Sequence, residues 1–320
     1  MAVINLLTER VPRARFDRIG APIADCDPYG IDVQLALYAC YELHYRGFAG
    51  VDPEWEWNPG LLHLRARLED AFLTAVRREA ADAAGGLDGT ATAEMGRLAA
   101  DAAVGTGTAG YLRARGTWEQ LREFFVHRSL HHLKDGDPHS WTVPGLTGQA
   151  GAAAFNGFVA RRGTLGHRQL YADLMVAAHL DPGYLAYVDL LPAESLAVVN
   201  LMSLFGLHRR HRGAAVGHFA ATVFNSARGS RRMLDALDRL DAPEPCRAFY
   251  RGQSAADPMR EEAVRTEVIE NLVRREPDRE ADVVFGIRAF GVIENRLAAH
   301  LMRCWRAGDS SLRRPLGRDD

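Results

Sequence analysis

At 320 residues, 47% of them hydrophobic and 25% charged, the chain has the composition of an ordinary globular protein able to bury a large core. Its 39 basic and 41 acidic side chains leave a net charge of −2, which excludes any general attraction to nucleic acid or anionic lipid. No apolar run approaches the roughly 20 residues of a membrane span, and the start MAVINLLTERVPRARFDR lacks the order of a secretory signal, so a cytoplasmic location is expected.

Helical periodicity dominates the chain. After an expected N-terminal extension (1–30), Val33, Ala36, Leu37, Cys40, Tyr41 and His44 share one helical face. Leu61, Leu64, Leu68 and Phe72 repeat the pattern just after Pro59-Gly60. From 82 to 116 the composition turns to Gly, Ala and Thr, which predicts a flexible connector with room for one short helix near Met95–Val104. Thr117 with Gln120 three residues on forms a capping box, opening a helix that lines up Trp118, Leu121, Phe125 and His132. Pro192 introduces LAVVNLMSLFG, apolar on nearly every side and therefore a buried central helix. The small residues Gly213, Ala214, Gly217, Ala220 and Ala221 predict a helix that its neighbours approach closely. A last helix, 281–305, turns Val284, Ile287, Phe290, Ile293 and Leu297 inward, and the tail 307–320 is expected to fray. The prediction is an all-α helical bundle, a single domain over 31–306.

Cys26, Cys40, Cys246 and Cys304 have neither zinc-site nor disulfide-framework spacing and read as reduced thiols. Phosphate-loop, GxSxG and HExxH patterns are lacking. A cluster of His127, His131, His132 and His139 encloses Asp135 and Asp137; His132, Asp135 and His139 have the spacing that puts ligands on one helical face. The same spacing also suits a solvated face that ends in aspartates before Pro138. HRRHR at 208–212 reads as a solvated helix end or an anion contact.

LYACYELHYRGF with DPEWEWNP, then REFFVHRSLHHLKDGDPHSW, then NLMSLFGLHRRHRGAAVGHFAA, resemble the iron-containing redox enzymes of actinobacteria. These are heme-oxygenase-like diiron oxidases and oxygenases, and the resemblance runs from about Tyr38 to Trp305. It implies a bundle of the heme-oxygenase type. It also implies iron ligands: an acid and a histidine on one helix, a glutamate on a later one, and His-xxx-Asp-xx-His on a third. Carried over, the first pair falls on His139 with Asp135 or His132. The glutamate falls on Val223. The third set falls on GQSAADPMRE, which keeps Asp257 but puts Gln253 and Arg260 where the histidines belong.

Val223 offers no lone pair, and Arg260 would set a permanent positive charge beside two cations. At an effective dielectric of about 20 that repulsion amounts to several kcal/mol. Asp257-Pro258 reads instead as the N-cap and first residue of a new helix. The expectation is therefore a biosynthetic protein that acts on a small-molecule intermediate without a diiron centre. His139, Asp135, Asp257, Arg260 and Glu42 are its candidate acid–base residues, and Gln253, His132 and Val223 its candidate substrate contacts. One alternative is a catalytically silent partner, homodimeric or paired with an active homologue. The other is a protein that keeps one iron on His139, Asp135 and Asp257.

Overall fold

A computed structural model of the chain describes residues 26–82, 89–104, 107–134, 137–141, 166–255 and 262–317. Among them every regular element is helical and none is a strand, so the all-α expectation holds. No helix among the described residues is long and apolar enough to cross a membrane.

Helix α1 (Ile31–Glu42) is followed by α2 (Pro59–Asp82), where the Asn58 side chain accepts hydrogen bonds from the N–H groups of Gly60 and Leu61. Asn at the cap with Pro at the first helical position is what a helix start requires. Leu61, Leu64, Leu68, Phe72 and Val76 form its buried stripe. The Gly/Ala/Thr-rich stretch expected to be a flexible connector carries two helices, α3 (Ala91–Val104) and α4 (Thr108–Arg115). The first is the short helix expected near Met95–Val104, starting a turn earlier; the second was hidden by its Gly- and Thr-rich surroundings. Ala91 and Met95 join a core cluster with Val216, Ala220 and Ile287, and Leu112 is fully buried. Arg239 donates to the carbonyls of Leu112 and Arg113, satisfying the end of α4.

The capping box forms as predicted at the start of α5 (Trp118–Lys134): Gln120 N–H donates to Thr117 Oγ1 at 3.2 Å, and Thr117 N–H donates to Gln120 Oε1 at 3.1 Å. Helix α6 (His167–Ala177) packs beside α5, and α7 (Ala193–Leu207) runs through the middle, buried from Ser195 to Gly206. Helices α8 (Arg212–Arg239), α9 (Glu244–Ala255) and α10 (Glu280–Ala307) complete the bundle, with a π-helical turn at Val264–Glu270 between the last two. The predicted close approach is between α8 and α10. A Cβ on Gly217 would lie 2.1 Å from the Val283 carbonyl oxygen, and one on Gly286 would lie 2.0 Å from that of Ala214. Only glycine allows the two backbones to touch there.

The described part of the tail expected to fray, 307–317, is anchored through 310–313. Ser311 and Leu312 are buried, and Arg313 N–H donates to the Leu190 carbonyl at 2.9 Å. Glu123 accepts from Trp305 Nε1 (2.8 Å), Ser311 N–H (3.0 Å) and Ser311 Oγ (2.6 Å). Because Ser311 Oγ gives its proton to Glu123, it accepts from His127 Nε2 (2.8 Å), and His127 Nδ1 then accepts from Ser195 Oγ (2.7 Å). Burial holds the His127 imidazole neutral, well below its usual titration range. No cysteine pairs with another; Cys40 and Cys246 are buried.

Candidate functional site

A cavity of about 260 Å³ lies between α4, α5, α7, α8, α9 and α10. Helix α5 sends Arg128, His131 and His132 to its wall; the i, i+3, i+4 spacing makes them neighbours on one face. Met202 comes from α7, and Phe249, Tyr250 and Gln253 from α9. Helix α8 contributes a long polar stripe that includes His218, Thr222, Ser226, Ser230 and Arg232. Glu294 enters from α10, next to the predicted inward residues Phe290 and Ile293.

The charged centre of the wall is a two-pronged ion pair. Arg128 Nη1 and Nη2 donate to the two Glu294 oxygens at 2.7 and 2.6 Å. Burial opposes the charge on both partners, but the guanidinium outweighs it and holds the Glu294 carboxyl below its usual range. Burial lowers His218 to a pKa of about 4, with Glu294 pulling weakly the other way, so this imidazole is neutral at neutral pH.

A second feature is a chain of side chains behind the wall. Gln253 Nε2 lies 3.1 Å from His167 Nδ1, and His167 Nε2 lies 3.1 Å from His132 Nδ1. With the amide NH₂ turned to His167, the proton of His167 sits on Nε2 and is donated to His132. A neutral His132 then carries its own proton on Nε2. The ring of His132 is held between His131, Tyr171 and Phe249, with centroids 4.5 to 5.0 Å away. Such an arrangement can orient an imidazole and pass a proton along a fixed path.

Of the predicted site residues, His132 and Gln253 stand on the cavity wall. Val223 does not: it is 2% exposed and packs in the cluster of Val216, Phe219 and Val283, while its neighbour Thr222, about 100° around the helix, faces the cavity. Glu42 is not on the wall either. It lies away from the wall, fully buried, bonded to Lys134 Nζ (2.9 Å) and Tyr184 OH (2.8 Å). A buried carboxylate needs such partners, and Lys134, the single lysine of the chain, stacks over Tyr45 as it supplies one. Asp135, Asp257 and Arg260 lie outside the described residues, as does the side chain of His139. In HRRHR, His208 Nε2 bonds Glu69 at 2.8 Å, Arg212 pairs with Glu276, and His211 is buried, so the motif joins helices.

Sequence reasoning missed Arg128, His167, His218 and Glu294. A usable signal existed for Glu294, a lone acid on the otherwise apolar face of α10, and for His218, which stands inside the motif GHFAA.

The family model described as iron-containing redox enzyme matches residues 122–291, more than half of the chain and the span from α5 to α10 that builds most of the wall. The chain belongs to the iron-containing redox enzyme family. No curated relative matches it.

Membership in the iron-containing redox enzymes implies iron. Among the described residues, no three of His, Cys, Asp and Glu group closely enough to hold a metal ion. The described wall carries His131, His132, His218 and Glu294. The one carboxylate of the described wall, Glu294, accepts from Arg128 through both oxygens. On α9 the amide of Gln253 bonds His167, and on α8 the wall carries His218 and Thr222. Asp135, Asp257 and the side chain of His139, on which the resemblance placed ligands, lie outside the described residues.

Proposed function

We propose that this member of the iron-containing redox enzyme family takes a small organic molecule into its central cavity and acts on it by proton transfer, without a pair of irons. The observation that carries the reading is the Arg128–Glu294 pair. The only carboxylate of the described wall has its oxygens 2.7 and 2.6 Å from a guanidinium, which neutralises the charge that would attract a divalent cation. The chain Gln253–His167–His132 supplies what proton transfer needs: an imidazole on the wall, fixed in tautomer and orientation by the groups behind it. Phe124, Phe249, Tyr250 and Phe290 supply apolar surface for the body of the ligand.

Anaerobic loading with ferrous salt, followed by desalting, metal analysis and absorption spectra on exposure to air, tests the proposal. Iron should stay well below one atom per chain, with no oxygen-dependent chromophore. Two irons retained per chain would refute it, and one retained iron would support a mononuclear site in its place.

A further inference from the structure

A cluster of titratable groups apart from the cavity holds the C-terminal segment. Helix α10 ends at Gly308, whose φ of 81° turns the chain back, and Asp309 N–H donates to the Cys304 carbonyl at 3.0 Å. Residues 310–313 then tie three elements together. Ser310 and Ser311 bond Glu123 of α5, and Arg313 N–H bonds the Leu190 carbonyl just before α7. His300 of α10 completes the hold. Its Nε2 donates to the Ser311 carbonyl at 2.7 Å, and its Nδ1 lies 3.5 Å from Glu194 Oε1 at the start of α7. The two neighbours of Nδ1 ask for opposite states. Arg303 Nη2, 3.1 Å away, donates only to a neutral ring, because a protonated Nδ1 has no lone pair. Glu194 attracts the protonated ring. Nε2–H reaches the Ser311 carbonyl in both states, and the cation makes the stronger bond.

We propose that residues 308–313 form a strap whose hold on α5 and α7 is set by the charge of His300. The groups facing this imidazole come from every side of the joint. From α7 comes Glu194. From α5 comes His127, its ring centroid 6.3 Å away and kept neutral by burial, with Glu123 bonded beyond it through Ser311. On α10 itself are the exposed Arg303 and the Cys304 thiol, whose Sγ lies 3.9 Å from Nε2, with Asp309 of the strap nearby. Burial raises that thiol, so it is uncharged at neutral pH. The hydrogen bond to Glu194 outweighs burial and the repulsion of Arg303, and raises His300 above its usual value. The folded chain therefore holds this proton more tightly than the unfolded one. The strap's added stability is full below the unfolded value of about 6.5 and is lost as pH rises through the higher folded value. Phe124 and Arg128, beside Glu123 and His127 on α5, line the cavity, so the strap also seats one of its walls.

Hydrogen exchange of the full-length chain, read by mass spectrometry from about pH 6 to about pH 8.5 and corrected for intrinsic rates, tests this. The buried amides of α7 serve as internal reference. Protection of the peptide carrying Ser311 and Leu312 should fall about threefold or more relative to α7 as pH rises. His300→Gln keeps an N–H donor for the Ser311 carbonyl but does not titrate, and should flatten the dependence. Glu194→Gln leaves the imidazole in place and should move the midpoint down toward about 6.5. Both side chains are partly exposed, and thermal melts of the variants verify folding. A wild-type strap whose protection ignores pH would overturn the proposal. So would a dependence that survives in His300→Gln, or a midpoint that stays put in Glu194→Gln.

Discussion

Removing the carboxylate of Glu294 strands the Arg128 guanidinium against the cavity wall. Both side chains are mostly buried, at 17% and 18% exposed. Breaking a buried pair by deleting one partner costs about 3–5 kcal/mol. The partial exposure places Glu294→Leu toward the lower figure, about 3 kcal/mol. At about 2.1 cal/mol/K of unfolding entropy per residue, that lowers the melting temperature by about 4–5 °C for a chain of this length. Urea or thermal unfolding of the wild type, Glu294→Leu and the double variant Arg128→Met/Glu294→Leu measures it. The double variant should return to within about 1 kcal/mol of wild type, because apolar groups of similar size tolerate the site. Acid adds a second readout. The Arg128 charge overcomes burial and holds Glu294 below its unfolded value, so the pair's stability is present above that value and lost as pH falls through the folded one. The gap between wild type and Glu294→Gln should therefore close below about pH 4. A single variant within 1 kcal/mol of wild type, or a gap that persists in acid, would refute the reasoning.

Gly286→Ala puts a methyl group 2.0 Å from the Ala214 carbonyl oxygen and should force α8 and α10 apart, at about 1–3 kcal/mol in denaturant titration. A neutral effect would mean that the crossing is looser than described. Glu123→Ala deprives Trp305 and Ser311 of their acceptor; a loss of about 2–4 kcal/mol and faster proteolysis beyond Gly308 are expected. His218 titrates at about 4 when folded and near 6.5 when unfolded, so the folded chain binds fewer protons between those values and loses stability as pH falls through the window. His218→Phe should remove about one proton from the slope of stability against pH there, whereas an unchanged slope would place His218 in solvent.

The legible parts of the sequence were those whose causes are local. The capping box at Thr117 and Gln120 is a matter of three residues, and the inward face of α10 is a matter of period. The Gly/Ala stretch misled in part: it showed the helix near Met95–Val104 but not Thr108–Arg115, because small residues signal looseness by composition but helix by propensity, and Leu112 of the second helix is fully buried. The tail misled for a different reason. Ser310 and Ser311 look like solvated residues, and nothing nearby announces that Glu123 and His127 wait for them across the fold.

The sequence by itself determined that the chain is a helical bundle of the heme-oxygenase kind, because helical period and family motifs are written along the chain. It also named His132, which stands within one of those motifs, and Gln253, which stands where the family pattern has a histidine; both line the cavity. Only the tertiary structure decided that Arg128 meets Glu294, 166 residues away, that His167 joins His132 to Gln253, and that Glu42 belongs to Lys134. Pairings of that kind depend on which helix faces which. That choice comes from close packing around Gly217, Gly286 and the buried α7, and no local pattern encodes it.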